Sequence, residues 1–302
     1  MTIITIEEAL QRASFCLKKA GIAQPREEAE TLLAYLLKRD RLQLFLKRSE
    51  ELEPEIYATF EEALHDRCNQ KPLAYITGEK HFYGNRFKIS KSVLIPRPET
   101  ELIIDRALAW YKLQAAKGHT DLKGVDLGTG SGVLAVTMAL KMPLLEVWAV
   151  DLSGEALKQA RINAVGLGVL EKIKFFEGNY FSALRGAEPR PQFNLVASNP
   201  PYVSRQEMKR LPRGIKEYEP FDALCGGEDG LDSYRIILRE LPEHISQPCL
   251  VLFEFGAGQK EPLEELVQTT GLFNTITWHC DLAGHPRVFE GEIRQAGLST
   301  RQ

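Results

Sequence analysis

The sequence has few cysteines, and none of them is arranged for a disulfide framework or a metal site. The five cysteines among 302 residues are dispersed along the chain, and no two of them form a Cys-x-x-Cys pair. An odd, scattered set neither cross-links a small secreted domain nor supplies the paired thiolates of a zinc site. This usage predicts a reduced, cytoplasmic compartment and gives no reason to expect a bound metal.

Long apolar runs and an excess of basic residues are also absent. No apolar run approaches the roughly 20 residues that span a bilayer, and the first residues show neither a basic flank nor a small-residue cleavage pattern. Lys and Arg number 38 against 41 Asp and Glu, which gives a formal charge of −3. That balance disfavours broad contact with a phosphate backbone. We therefore expect no membrane association and no direct nucleic-acid binding, and we expect a monomer.

Residues 1–70 show the periodicity of a small helical bundle. Thr5 and Glu8 have the spacing of a capping box, and apolar residues recur on one helical face further along the chain. Residues 71–95 are predicted to be a connector that contains a short hairpin, with Gly84-Asn85 supplying the positive φ angles of its tight turn. Residues 96–302 complete the chain as a second domain.

Strands and helices alternate in this second domain from residue 124 onward. Such alternation predicts a parallel sheet covered on both faces, with strands at 124–127, 147–150, 173–176, 193–198 and 250–255. Two further strands, at 275–280 and 287–291, have no room for a helix between them, so they must pair antiparallel. The sequence therefore predicts an α/β fold whose parallel, Rossmann-like sheet ends in an antiparallel hairpin, which is the architecture of class I methyltransferases.

A glycine-rich segment connects the first predicted strand to a helix. Glycines at such a turn allow a close approach of backbone to ligand, and the helix N-terminus adds partial positive charge; the segment comprises Gly128, Thr129, Gly130, Ser131 and Gly132. The dinucleotide fingerprint needs a third glycine where Val133 stands. The segment therefore fits a nucleoside ligand without a pyrophosphate better than NAD, with a purely structural turn as the alternative.

Two residues beyond the next strands extend this candidate site. Asp151 ends the second strand about 20 residues after the loop, where an acid accepts hydrogen bonds from ribose hydroxyls. Its alternative role is to cap the following helix, which Ser153 can also do. Tyr180 follows the third strand, where an adenine ring would lie, although an aromatic residue there could equally belong to the core.

The segment after the fourth strand, Asn199-Pro200-Pro201-Tyr202, suits the binding of a planar NH₂ group. The side-chain oxygen of Asn199 can accept one N–H and the carbonyl of Pro200 the other, while Tyr202 can stack on the flat face of the group. Acceptors on both hydrogens return electron density to an otherwise poor nitrogen nucleophile. A methyl group held in line could then be attacked directly, without an acid–base pair or a metal before the transfer. The alternative is a proline-rich turn.

Several longer segments identify a family that the chain resembles. Residues 72–78, 82–87, 93–101, 218–220, 226–232 and 281–284 are similar to the signatures of the release factor glutamine methyltransferases, called PrmC or HemK. The resemblance covers nearly the whole chain, and residues 95–101 discriminate best. The Asn-Pro-Pro-Tyr segment is shared with DNA adenine and ribosomal RNA guanine methyltransferases. Taken alone, it leaves open a nucleic-acid amine (adenine N6 or guanine N2) methyltransferase, and a catalytically silent cofactor-binding scaffold is a third reading.

The resemblance implies both substrates and a set of contacts. S-adenosylmethionine would be the methyl donor, and the acceptor would be the side-chain amide nitrogen, N5, of the glutamine in the Gly-Gly-Gln motif of class 1 peptide-chain release factors. Such methylation modulates translation termination. The glycine segment would hold the methionine end of the cofactor, Asp151 the ribose and Tyr180 the adenine. Asn199 would touch cofactor and glutamine, Pro200, Pro201 and Tyr202 would bind the glutamine, and the N-terminal domain would contact the release factor.

The chain departs from the family pattern beside the expected adenine. Asn179 stands where many members have an acid, and Tyr180 stands where a tryptophan can occur. The roles of Arg97 and Glu99, which could close the cleft over the substrate or merely form an ion pair, stay open from the sequence.

Overall fold

The computed structural model describes residues 4–294, and the chain divides into two compact units. The first unit is Met1–Glu79 with Pro212–Tyr218, and the second is Lys80–Leu211 with Glu219–Gln302. Residues 71–79 of the predicted connector thus fall in the first unit and residues 80–95 in the second. The domain boundaries at residues 70 and 95 stay predictions, and the ends of the predicted ranges, 1–3 and 295–302, lie outside the described residues.

The first unit is helical, as the periodicity predicts. Numbered along the chain, its helices are α1 (Ile6–Lys19), α2 (Pro25–Leu37), α3 (Arg41–Leu46), α4 (Pro54–Cys68), α5 (Leu73–Thr77) and the short α10 (Arg213–Lys216). The capping box of α1 is confirmed, because the Thr5 hydroxyl accepts from the Glu8 N–H and the Glu8 carboxylate accepts from the Thr5 N–H at 2.9 Å. Buried apolar side chains form its core, including Leu10, Leu17, Leu32, Leu33 and Phe60.

A hairpin of β1 (Glu79–Phe82) and β2 (Asn85–Lys88) follows. Its turn residues are Tyr83 and Gly84, with φ of 48° and 75°. The prediction that Gly84 and Asn85 form the turn is therefore wrong by one residue, since Asn85 already begins β2. The Glu101 carboxylate accepts a hydrogen bond from the Tyr83 N–H at 2.7 Å and helps to hold this non-glycine residue in the left-handed region.

The second unit is a three-layer α/β structure. Its remaining strands are β3 (Leu122–Leu127), β4 (Leu145–Asp151), β5 (Ile173–Glu177), β6 (Phe193–Ser198), β7 (Ile245–Glu254), β8 (Thr275–Cys280) and β9 (Pro286–Ile293). Its helices are α6 (Glu101–Ala116), α7 (Val133–Lys141), α8 (Gly154–Gly166), α9 (Arg205–Met208), α11 (Asp232–Glu240) and α12 (Lys260–Thr270). None of the helices between residues 4 and 294 has the length and apolar character that a membrane crossing requires.

The seven strands lie in the order β5-β4-β3-β6-β7-β9-β8. The first five are parallel, β9 is antiparallel to β7, and β8 pairs antiparallel with β9. This confirms the predicted parallel sheet with an antiparallel hairpin at one edge. Val125, Val150, Val196 and Phe253 are fully buried in the core of the sheet, and near-continuous apolar strands of this kind are typical of a sheet covered on both faces.

The strand order determines where a ligand can bind. The chain moves outward from β3 to β4 and β5, and then returns across the sheet to β6 on the other side of β3. At such a reversal the loops that leave neighbouring strands diverge, and open α/β sheets bind ligands in the resulting crevice at the carboxyl ends of the strands.

Candidate active site

A cleft of about 400 Å³ lies at this edge of the sheet. Its lining comes from the loops after β3, β4, β5 and β6 and from parts of residues 92–100 and 220–223. Of the predicted site residues, eight line the cleft: Gly128, Thr129, Gly130, Ser131, Asp151, Tyr180, Asn199 and Pro201. Gly132, Pro200 and Tyr202 are adjacent in sequence to these lining residues.

The glycine loop adopts backbone conformations that favour glycine. Gly128, Gly130 and Gly132 have φ of 78°, 55° and 82°. The loop is held against β4, because the N–H groups of Gly128 and Thr129 both donate to the Val150 carbonyl at 2.8 and 2.9 Å. At Gly132, the residue before α7, a Cβ atom would lie 2.9 Å from the Cβ of Ala160. Glycine is therefore required here both for the turn and for the close packing of α8.

Asp126, which the sequence analysis missed, lies directly beneath this loop. One of its carboxylate oxygens accepts from the Thr129 hydroxyl at 2.6 Å and from the Ala135 N–H at 3.1 Å. The other oxygen is buried and has no hydrogen-bond partner within the described structure. Burial raises the pKa of the Asp126 carboxyl to about 7. An acid two residues before the first glycine of a strand–turn–helix segment is the signal that could have identified it.

Asp151 at the end of β4 is held by the backbone. Its two carboxylate oxygens accept from the Gly130 N–H at 2.8 Å and from the Ser153 N–H at 2.9 Å. Burial raises the pKa of Asp151 above its usual value, although the backbone N–H groups oppose that shift. The alternative assignment of Asp151 as the cap of α8 is not needed, because the Ser153 hydroxyl accepts from the Ala156 N–H at 3.2 Å. Each Asp151 oxygen retains acceptor capacity for a ligand hydroxyl.

Asn179 and Tyr180 form the wall of the cleft beyond β5. Tyr180 adopts a φ of 45°, which is uncommon for a residue that is not glycine. Its ring also packs against the buried apolar cluster of the sheet. Tyr180 is thus partly core and partly cleft surface, and its contact with an adenine stays a prediction.

The Asn199 side chain leaves its amide oxygen without a hydrogen-bond partner among the described residues. Its Nδ2 donates to the Thr100 hydroxyl oxygen at 3.0 Å, while its Oδ1 is buried and accepts no hydrogen bond from any described residue. An unsatisfied buried acceptor is costly in a folded protein unless a ligand completes it. Asn199 Oδ1 is therefore an acceptor that an N–H donor would complete.

Hydrogen bonds hold the rest of the Asn-Pro-Pro-Tyr segment in place. The carbonyl of Pro201 accepts from the Ser233 hydroxyl at 3.2 Å, and the carbonyl of Tyr202 accepts from the Gln259 side chain at 2.8 Å. The Tyr202 hydroxyl donates to Glu254 at 3.2 Å, and its ring packs beside the apolar cluster of the sheet. The acceptor role of the Pro200 carbonyl and the stacking role of Tyr202 stay predictions.

Glu254 and Thr100 were not predicted as site residues, although Thr100 lies within residues 95–101, which carry the family resemblance most specifically. Glu254 is 2% exposed at the end of β7, and one of its oxygens accepts from the Thr100 hydroxyl at 2.6 Å. Burial raises the pKa of Glu254 to about 7. The sequence carries no local signal for this group, since Thr100 and Glu254 are separated by 154 residues.

Arg97, whose role the sequence left open, forms an ion pair with buried Glu219 at 2.6 Å. The other oxygen of Glu219 accepts from the Ile95 N–H at 3.2 Å. Glu219 therefore fixes residues 95–97, and this segment contributes Pro96 to the lining of the cleft, close in sequence to the lining residue Thr100. The ion pair is observed, whereas a movement that closes the cleft is not. Among residues 4–294 no cluster of three or more His, Cys, Asp or Glu side chains could hold a metal ion.

Comparison with known proteins identifies the family. Residues 8–78 match the PrmC N-terminal domain and residues 108–212 the methyltransferase small domain. The release factor glutamine methyltransferase of Koribacter versatilis is 37% identical to this chain, with 95% of this chain and 98% of that protein covered. The protein of the same name from Bacillus anthracis is 35% identical over 95% of this chain and 99% of its own length. The chain belongs to the release factor glutamine methyltransferase family.

Solved structures agree with this family at the level of the fold. The N-terminal domain of human METTL16, in a crystal structure with SAH, aligns with a TM-score of 0.52 and 17% identity, covering 86% of this chain and 93% of that one. The hMettl16 catalytic domain in complex with an RNA hairpin gives a TM-score of 0.53 at 15% identity, covering 80% and 84%. At these identities the likeness shows a shared methyltransferase fold, and it does not favour an RNA substrate.

Proposed function

We propose that this protein transfers a methyl group from S-adenosylmethionine to the N5 side-chain nitrogen of the glutamine in the Gly-Gly-Gln motif of class 1 peptide-chain release factors. Membership of the release factor glutamine methyltransferase family supports the substrate. The observation that carries the chemistry is the buried, unpartnered Oδ1 of Asn199, because an acceptor at this position recognises an amide N–H rather than a carbonyl.

The described residues fit the proposed cofactor. The left-handed glycines of the loop and the unpartnered oxygen of Asp126 suit a ligand with a cationic amino group. Asp151 retains lone pairs for two ribose hydroxyls, and Asn179 and Tyr180 present a polar and an aromatic group to an adenine. When bound, S-adenosylmethionine supplies an electrophilic sulfonium methyl group.

The residues of the Asn-Pro-Pro-Tyr segment prepare the acceptor nitrogen. An amide nitrogen is a poor nucleophile because its lone pair is delocalised into the carbonyl. Asn199 Oδ1 accepts one N–H of the glutamine, and we propose that the Pro200 carbonyl accepts the second. These two acceptors fix the plane of the amide and raise the electron density at nitrogen as positive charge develops there. The new C–N bond would form as the S–CH₃ bond of the sulfonium breaks and leaves a neutral thioether, and loss of one of the two N–H protons to solvent would then give a neutral secondary amide.

The N-terminal unit is proposed to contact the release factor away from its reacting loop. The match of residues 8–78 to the PrmC N-terminal domain supports this proposal, since that domain accompanies the methyltransferase domain in this family. We further propose a cytoplasmic monomer that binds no nucleic acid directly. Gel filtration tests the monomer, and a mobility-shift assay with DNA and ribosomal RNA at physiological salt tests the absence of nucleic-acid binding.

The function is tested with isotope-labelled S-adenosylmethionine and two release factors that differ only at the glutamine of the Gly-Gly-Gln motif. We expect label on the native release factor and none on the copy with alanine at that position. Label on neither release factor would contradict the proposed substrate, and transfer to DNA or ribosomal RNA under the same conditions would support the nucleic-acid alternative. Label on both would place the modification at another residue.

A further inference from the structure

Four side chains form a continuous hydrogen-bonded chain that begins at the cleft lining, where Asn199 and Thr100 lie. Asn199 Nδ2 donates to Thr100 Oγ1 at 3.0 Å, Thr100 Oγ1 donates to Glu254 Oε2 at 2.6 Å, and the Tyr202 hydroxyl donates to Glu254 Oε1 at 3.2 Å. Ser198 of β6 pairs with Phe253 of β7, so the residues that follow them, Asn199 and Glu254, leave neighbouring strands together. Thr100 and Glu254 are both 2% exposed, which shields the chain from water.

The protons in this chain determine the orientation of the Asn199 amide. A hydroxyl has one proton to donate, and an ionised carboxylate can only accept. Because the Thr100 proton is donated to the Glu254 carboxylate, the Thr100 oxygen can only accept from Asn199. The NH₂ end of the Asn199 amide must then face Thr100, and its oxygen must be the end that remains free.

We propose that Glu254 is a positioning residue for methyl transfer, which acts through Thr100 to keep the Asn199 amide oxygen, and not its NH₂ group, directed at the substrate amide. The role rests on the proposed function, in which the substrate group is a glutamine NH₂. A protonated Glu254 can donate to Thr100 instead of accepting from it. Thr100 can then donate to the Asn199 oxygen, and the reversed amide presents N–H groups to the substrate's own N–H groups.

The electrostatic surroundings of Glu254 place this switch near neutral pH. Burial raises the pKa of its carboxyl to about 7, and the negative charge of Glu99 adds to that rise. The hydrogen bonds from Thr100 and Tyr202 and the positive charge of Arg287 of β9 lower the pKa and so oppose the rise. Tyr234 of α11 also faces this residue and donates to the Glu254 main-chain carbonyl at 2.7 Å. Since the required form is the carboxylate, activity falls as pH decreases through the pKa of Glu254.

The test measures kcat/KM for the release factor against pH, at saturating S-adenosylmethionine so that protonation of Asp126 does not enter through cofactor binding. We expect the native enzyme to lose activity below a pH of about 7. Glu254→Gln keeps the shape of the side chain but lacks the ionisable group, and its Nε2 can donate to Thr100. It should lose about 10- to 100-fold in kcat/KM at pH 8 and show no acid limb.

Thr100 provides a second pair of variants that tests the same connection. Thr100→Val removes the hydroxyl at nearly constant volume and should lose about 10- to 100-fold in kcat/KM, whereas Thr100→Ser keeps the hydroxyl and should stay within about threefold of the native enzyme. The dissociation constant of the cofactor and the Tm, measured on each variant, report whether the fold is intact. This pair decides the question if Glu254→Gln does not fold.

The outcomes separate this role from the proposed function. No methyl transfer by the native enzyme to a release factor would contradict the function itself. Transfer by the native enzyme, with Glu254→Gln equal to it in kcat/KM and in its acid limb, would overturn the positioning role alone. Equal losses in Thr100→Val and Thr100→Ser would also overturn it, because they would show that packing and not the hydroxyl matters.

Discussion

The half of the cleft at β3 and β4 and the half at β6 and β7 present oxygen acceptors by different means. In the first half, Asp126 accepts from the Thr129 hydroxyl and the Ala135 N–H, 3 and 9 residues away in the sequence, and Asp151 accepts from the Gly130 N–H, 21 residues away. In the second half, Asn199 is held by the side chain of Thr100, 99 residues away, which in turn depends on Glu254, 154 residues from Thr100.

This difference separates a locally encoded site from one that needs the assembled fold. The first half needs only the turn after β3, the helix that follows it and the neighbouring end of β4 to be in place. The orientation of Asn199 depends on two distant side chains, so it is correct only when β6, β7 and the residues just before α6, which include Thr100, are all folded together. The first half therefore suits a cofactor common to many methyltransferases, and the second half suits the selection of one acceptor group.

The largest expected effect comes from removing the acceptor of the second half. Asn199→Ala should lower kcat by about 10²- to 10³-fold, because it deletes one preorganised hydrogen-bond partner of the developing charge. The dissociation constant of S-adenosylmethionine, measured by calorimetry, should change by no more than about threefold, since the contacts of the first half remain. An unchanged kcat would refute the role assigned to Asn199.

The matching change in the first half is Asp151→Ala. We expect it to affect cofactor binding and not kcat, whereas Asn199→Ala should affect kcat and not cofactor binding. Loss of charge-assisted hydrogen bonds to the ribose should weaken the binding of S-adenosylmethionine by about 10- to 50-fold. The kcat at saturating cofactor should stay within about threefold of the native value. If Asp151→Ala lowered kcat as much as Asn199→Ala does, the two halves would not be functionally separate.

Two glycines test the half at β3 and β4 further, because the shape of the glycine loop there depends on its backbone and not on a side chain. Gly132→Ala combines a φ of 82° with a Cβ 2.9 Å from the Cβ of Ala160, whereas Gly130→Ala has a φ of 55° and nothing within 4 Å of its Cβ. We expect losses in the free energy of unfolding of about 2–4 kcal/mol for the first and about 1–2 kcal/mol for the second. Urea titrations measure both, and equal losses would show that strain alone, not packing against α8, constrains the loop.

The same difference explains what the sequence could predict. The glycine loop, Asp151 and the Asn-Pro-Pro-Tyr segment were accessible because each is contiguous or ends a recognisable strand, and the parallel sheet with its antiparallel hairpin followed from the alternation of elements. Asp126 had a local signal that was overlooked.

Other features had no local signal at all. Thr100, just before α6, and Glu254, at the end of β7, are 154 residues apart and become partners only in the folded chain. The turn of the β1–β2 hairpin was wrong by one residue because Glu101, a distant carboxylate, accepts from the N–H of Tyr83. In each case the deciding contact is between residues that only the tertiary structure brings together.

The smallest expected effect is on the free energy of unfolding of the cofactor-free protein, and it arises from Asp126 in the first half of the cleft. The pKa of Asp126 is raised by burial to about 7, above the value of about 4 for an unfolded aspartate. The unfolded state therefore binds fewer protons than the folded state between these pH values, and this carboxyl makes the folded protein less stable as pH rises from about 4 to 7. Asp126→Asn keeps an oxygen for the Thr129 hydroxyl and the Ala135 N–H and replaces only the unpartnered oxygen.

We expect this variant to raise the free energy of unfolding of the cofactor-free protein by about 1–2 kcal/mol at pH 8. At pH 5, where the native carboxyl is protonated, the gain should disappear. The variant should also weaken the binding of S-adenosylmethionine, because an amide does not attract its cationic amino group. Urea titrations at the two pH values and calorimetry with the cofactor provide the measurements. Equal stabilisation at both pH values would show that the charge of Asp126 does not cause the gain in stability. The expected pattern would mean that the Asp126 charge, which attracts the ligand, lowers the stability of the cofactor-free protein.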